Sequence, residues 1–199
     1  MSTFIALSPV KTSVPKFVEA WRACYLDDDQ RYFENINFSG TLSTANVVRL
    51  MEWKERKRFT TRAQAYGRAI PIDLLNDARG AAPLSAEDLL LQYEMICEHL
   101  HRKGLAKSGG IIWPLFLCHI GQPLSIPIYD VNVWRAWGFI EGWIEPKHYR
   151  QVPTTLDNYL QYRAWFNDLV EKHDIAPREL DQSLMAFGQF VRTRWSPFL

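Results

Sequence analysis

A chain of 199 residues is long enough to bury roughly 70% of its unfolded surface, so it needs no disulfide or metal staple to fold. Its composition, 47% hydrophobic and 23% charged, is that of an ordinary soluble globular protein, and a net charge of +1 excludes any global electrostatic argument for nucleic-acid binding. Cys24, Cys97 and Cys118 are odd in number, widely spaced and without metal-ligand spacing, which predicts free, mostly buried thiols in a reducing compartment and no metal site.

Helical periodicity runs along the chain, and no segment alternates apolar and polar residues long enough to predict a strand. A first helix is expected from Val14 to about Leu26, with Pro15 in its first turn. A second starts near the Ser43/Thr44 cap and carries Val47, Val48, Leu50, Met51 and Trp53. Pro71 to Arg79 reads as a short helix closed by Gly80. Ser85 to about Lys103 is signalled best: Ser85 and Asp88 make a capping-box-like pair, and Leu89, Leu90, Tyr93, Ile96, Cys97 and Leu100 share a face. Gly104 ends it. Ile111 to Ile120, IIWPLFLCHI, is too short to span a bilayer and suits a helix buried inside the fold, with Pro114 in its first turn.

Gln122 to Pro127 is then a proline-bounded connection, and Asp130 caps the next helix. Thr154 to Lys172 and Pro177 to about Arg194 supply two more. With no internal repeat, low-complexity tract or interior linker, the expectation is one all-α domain over 1–199 with eight to ten helices. No apolar run approaches 18 residues, and MSTFIALSPVKTSVPK lacks the pattern of a secretory signal, so a cytoplasmic location and no membrane partner are expected.

Each candidate for chemistry has a bland reading beside the sharp one. Between Arg49 and Arg68 seven basic residues face two acids, a local excess of +5 centred on Arg56, Lys57 and Arg58. The stretch mixes cations with aromatics, as a DNA-contacting surface does, yet a solvated helix side reads the same way. Lys107-Ser108-Gly109-Gly110 offers a cation and exposed N–H groups at a helix start, the ingredients of a phosphate cradle or of a plain glycine cap. The eight tryptophans are more than a random chain of this size carries, and fill a core or stack on a planar ligand such as a base. His119 is a satisfied core histidine or a ligand contact; His99 and His101, two apart, fall on different helix faces and make no metal pair. Asp130 itself is an N-cap or a reactive carboxylate.

The order of a helix, a glycine turn, a buried apolar helix, a short extended link, then Asp followed by x-x-Val-x-Arg at a helix start resembles the core of the helix-hairpin-helix DNA glycosylase superfamily. Its signature ends in Val/Leu-Asp-x-x-Val-x-Arg-Val; in this sequence those positions are Tyr129, Asp130, Val131, Asn132, Val133, Trp134, Arg135 and Ala136, a fairly close match. The resemblance covers Leu100 to Trp143, under a quarter of the chain. It implies a compact multi-helix fold with two helical lobes and a cleft between them, its glycosylase-like core at about 85–145. Three departures shape the expectation. The hairpin Leu-Pro-Gly-x-Gly is replaced by Gly104-Leu105-Ala106-Lys107-Ser108-Gly109-Gly110, so a hairpin there is degenerate. Bifunctional members carry a Schiff-base lysine about 18 to 19 residues before the aspartate, where this chain has Ile112 or Ile111. No cysteine follows Cys118, which excludes the four-cysteine iron–sulfur cluster of many relatives.

The resemblance therefore implies a monofunctional enzyme that uses water and no cofactor, with DNA as partner and Asp130 as catalytic carboxylate. Breaking an N-glycosidic bond builds positive charge on the sugar; an ionised carboxylate nearby stabilises it and can take a proton from the attacking water. A helix N-terminus keeps such a carboxylate charged. Asn132 is then a candidate to orient the water or a phosphate, and Trp113, Trp134, Tyr129 and His119 are candidates to line a flipped-base pocket. Arg135 would brace the carboxylate or join Lys107, Ser108, Gly109, Gly110, Arg56, Lys57 and Arg58 on the DNA backbone. The excised base stays open among alkylated purines, oxidised guanine and bulky cytosine modifications like those of viral genomes, the last implying a defence role. Two rivals remain: a non-catalytic nucleic-acid-binding protein on the same scaffold, and a helical protein-interaction domain, for which no partner can be read.

Overall fold

The structure, a computed structural model, describes residues 12–26, 29–38, 40–55, 60–80, 82–105, 110–143 and 155–192. Among them are ten α-helices and no strand: α1 (Val14–Arg22), α2 (Gln30–Ile36), α3 (Thr44–Glu55), α4 (Thr60–Ala69), α5 (Ile72–Gly80), α6 (Ala86–Arg102), α7 (Ile112–Gly121), α8 (Val131–Ile140), α9 (Leu156–His173) and α10 (Pro177–Val191). None is long and apolar enough to cross a membrane. The chain divides into two units. One takes 1–26, 130–153 and 164–199; the other takes 27–129 and 154–163.

In the first unit α10 packs on both α1 and α8. Its buried face is Leu180, Leu184, Phe187 and Val191, a helical repeat of apolar residues. Phe187 meets Phe17 at 5.4 Å, Trp21 at 4.9 Å and Phe139 at 5.4 Å between ring centroids, all edge-on. Where α10 crosses α8 the backbones nearly touch: a Cβ on Gly188 would stand 1.9 Å from the carbonyl oxygen of Asn132, so no residue larger than glycine fits. Helix α1 stops at Arg22, short of the expected Leu26. The backbone tightens there through Cys24 N–H to Trp21 O and Tyr25 N–H to Arg22 O, and Leu26 is 92% exposed. Cys24 is likewise exposed, contrary to the burial expected of the thiols, whereas Cys97 is half-buried and Cys118 buried.

In the second unit α3 packs on α2 and α4, and α7 on α5 and α6. Ser85 caps α6 by accepting the Asp88 N–H at 3.1 Å. Gly104, at φ 71°, ends α6 with the two reverse hydrogen bonds of a Schellman motif, Gly104 N–H to His101 O and Leu105 N–H to Leu100 O. The expected apolar face of α6 is narrower than its sequence suggests. Leu89, Ile96 and Leu100 are buried, but Leu90 is 40% exposed, because a 17-residue helix packed mainly on one neighbour covers a single stripe. Helix α7 is buried from Pro114 to Gly121, as its unbroken apolar sequence requires.

Between α7 and α8 the chain makes one turn on Gln122 O and otherwise runs without regular structure, and side chains satisfy three successive carbonyls. Arg163 Nε donates to Ser125 O at 3.1 Å, the His119 ring to Ile126 O at 2.6 Å and Tyr159 Oη to Pro127 O at 3.2 Å. Gln122 ties the start of the link back to the α5–α6 connection, giving Nε2 to Ala78 O and Ala82 O and accepting from Leu84 N–H with Oε1.

Candidate active site

Asp130 stands at the N-cap of α8 with extended backbone, φ −159° and ψ −176°. Its Oδ1 accepts the Asn132 N–H at 2.7 Å and the Val133 N–H at 3.1 Å. Two charge-assisted bonds and the positive end of the helix dipole both favour the ionised form. The residue as a whole is half-buried.

The first turn of α8 is tied to itself and to α10. Arg135, 6% exposed, donates from Nη1 to Asn132 Oδ1 at 3.1 Å. Asn132 in turn directs Nδ2 to Met185 Sδ at 3.2 Å. The Asn132 amide is thus engaged at both ends, and Arg135, expected to brace the carboxylate or to contact a DNA backbone, is buried. Burial and then the like charge of Arg192 pull the Arg135 guanidinium below its usual pKa, against the opposing charge of Asp130.

Asp130, Asn132, Trp134 and Arg135 share the α8 start in the first unit. Trp134 is buried in a group of four tryptophans, 5.6 Å from Trp137 and 4.4 Å from Trp143, with Trp137 a further 6.2 Å from Trp165. Trp165 Nε1 donates to Glu141 Oε1 at 2.9 Å.

The other three pocket candidates belong to the second unit, in separate ring clusters. Half-buried Trp113 lies 5.4 Å from Tyr66. His119, 1% exposed, stacks on Phe116 at 5.6 Å. Because a carbonyl only accepts, its Nδ1 carries the hydrogen toward Ile126 O, and in the neutral ring Nε2 then accepts from Tyr32 Oη at 2.9 Å. Both ring nitrogens are therefore occupied inside the core. Tyr129, 2% exposed, packs 5.3 Å from both Tyr159 and Tyr162. Gly110 is exposed with φ 54° before α7, whereas Lys107, Ser108, Gly109, Arg56, Lys57 and Arg58 lie outside the described residues.

Gln122, Tyr159 and Arg163, whose side chains fasten the link 122–129, were not expected, and neither was Arg79 at the ends of α2 and α7. Their partners are backbone carbonyls far away in sequence, so no local spacing announces them. Among the described residues no group of three or more His, Cys, Asp or Glu could hold a metal ion. No family model matches the chain, and no curated protein or solved structure matches it.

Proposed function

We propose that the protein is a monofunctional DNA glycosylase with the helix-hairpin-helix architecture of that superfamily in its core, and that Asp130 is its catalytic carboxylate. The observation that carries this reading is the pair of backbone N–H bonds to Asp130 Oδ1 at the start of α8, which favours a charged carboxylate at a half-buried position. The order α6, glycine turn, α7, extended link, α8 supports it as well. In the proposed reaction the carboxylate stabilises the cationic sugar as the base departs and accepts a proton from the attacking water, so that base and abasic site are the two products. Arg135 acts through Asn132 as a positioning residue.

The test is to incubate the protein with duplex and single-stranded DNA carrying alkylated, oxidised or bulky modified bases, then heat in alkali. Free base by mass spectrometry, with strand breaks that vanish in Asp130→Asn, is the expected result. Salt-sensitive DNA binding that is equal in both proteins, without base release, would move the assignment to a non-catalytic binding protein.

A further inference from the structure

The second unit holds a cavity of about 240 Å³ beside the C-terminal ends of α5 and α7. Its apolar walls are Phe38, Pro83, Pro123 and Leu124, and Arg79 is the one charged residue among the described residues that line it. Phe38 is 43% and Leu124 63% exposed, large apolar groups left uncovered at the same opening.

Arg79 has an unusual set of partners. Nε donates to Gly40 O, Nη1 to Ile120 O, and Nη2 to Ile36 O and Asn37 O. Four of its five N–H groups are therefore spent on carbonyls, one Nη1–H is left, and no Asp or Glu pairs with it among the described residues. Carbonyl dipoles and the ends of α2 and α7 offset part of the charge, but a formal positive charge beside an apolar cavity lacks its counter-ion. The other polar lining groups are committed: Ser125 Oγ donates to Gln122 Oε1, and the Gln122 amide is bonded to the α5–α6 connection. The cavity wall at Gly121 has a second unfilled polar group behind it. Gln92 is 7% exposed, neither of its amide atoms has a hydrogen-bond partner among the described residues, and its Nε2 would stand 3.1 Å from a Cβ on Gly121.

We propose that this cavity is a binding site for a small monocarboxylate with a flat apolar body. The carboxylate pairs with Arg79 through the remaining Nη1–H, and the body lies between Phe38 and the Pro123–Leu124 turn. The volume is below the ~300–1,000 Å³ of most ligand sites, which selects a ligand of aromatic-acid size over a nucleotide or a peptide. One N–H and one charge favour a single carboxylate over a dianionic phosphate. The site makes no use of Asp130, so its test is independent of the glycosylase reading.

Benzoate is the probe, followed by amide chemical shifts of the whole protein, with benzyl alcohol and inorganic phosphate as controls. Saturable shifts confined to Phe38, Gly40, Gly121, Gln122, Leu124 and Ser125, and at least about tenfold weaker for both controls, are expected. Leu124→Glu puts a like charge at the exposed rim without touching the core and should weaken benzoate by about tenfold or more, whereas Leu124→Met should not. Arg79→Lys should also weaken it if the variant folds. Absence of saturable shifts from benzoate, equal binding of benzyl alcohol, or indifference to Leu124→Glu overturns the proposal.

Discussion

Gly188 of α10 lies so close to Asn132 of α8 that a single added methyl group would overlap the Asn132 carbonyl. Both partners are in helices, so neither can step aside without moving its helix. An alanine free of contacts would stabilise a helix interior by about 1 kcal/mol relative to glycine. Gly188→Ala should instead destabilise by more than about 3 kcal/mol in urea denaturation. Gly67→Ala, whose Cβ would meet the Val48 Cα at 2.9 Å, should cost less, about 1–2 kcal/mol. A stabilised Gly188→Ala would show that α8 and α10 do not approach this closely.

At Asp130, stability and chemistry separate by choice of substitution. Asparagine is as good an N-cap as aspartate, so Asp130→Asn should unfold at nearly the wild-type urea concentration while losing base release. Asp130→Ala should lose both the reaction and about 1 kcal/mol of stability. Full retention of base release in Asp130→Asn would remove the carboxylate from the mechanism.

Tyr32→Phe keeps the ring contacts with Trp53 and Phe33 but deletes the hydroxyl bonded to His119 Nε2. In a site where His119 is 1% exposed, losing that hydroxyl should cost about 1–3 kcal/mol by chemical denaturation. A change below about 0.5 kcal/mol would mean that the histidine does not depend on this bond.

Burial pushes the thiols of Cys97 and Cys118 above their usual pKa, so the folded chain holds those protons more tightly than the unfolded one. Such groups contribute nothing to the pH dependence below the unfolded thiol value of about 8.5; above it the unfolded chain loses protons first, and stability falls as pH rises toward the folded values. Buried Cys118 should give a slope of up to about 1.4 kcal/mol per pH unit, and half-buried Cys97 less. Denaturation at pH 7 and pH 10 should show this loss in the wild type and a smaller one in Cys118→Ala. Equal losses would place the effect elsewhere.

Helix α9 ends at His173 with Asp174 in the left-handed region, φ 51°, and Ile175 N–H turned back to Val170 O. Glycine adopts this conformation without the Cβ cost, so Asp174→Gly should raise stability by a few tenths to about 1 kcal/mol in urea denaturation. A loss of stability there would mean that the aspartate side chain compensates for its own backbone.

Much of the helical content could be read from local chemistry. Ser85 and Asp88 announced the start of α6, Gly104 its end, the run around Leu117 the burial of α7, and Asp130 the start of α8, because caps and periodicity act over a few residues. Helix α2 escaped because seven residues carry less than two apolar repeats, and α4 because its basic sequence shows no apolar stripe. Leu90 was misassigned to the covered face, since periodicity gives the direction of a side chain but not the width of its partner. At the candidate site the sequence marks Asp130, whereas the Arg135–Asn132–Met185 chain depends on how α8 meets α10. Arg79 and Arg163 read as surface cations until their carbonyl partners are known.

Apart from a short turn in which Gln122 O accepts the Ser125 and Ile126 N–H groups, the link before Asp130 is fastened by its own Gln122 side chain to α5 and by side chains of α7 and α9. A strand or helix in that place would form locally and early; this segment has to wait until residues dozens of positions away have docked. Beyond that turn its order therefore arrives late in refolding and goes early in partial unfolding, with the docking of α9, whereas the Ser125 and Ile126 amides, bonded to Gln122 O at the end of α7, should exchange with the opening of that turn.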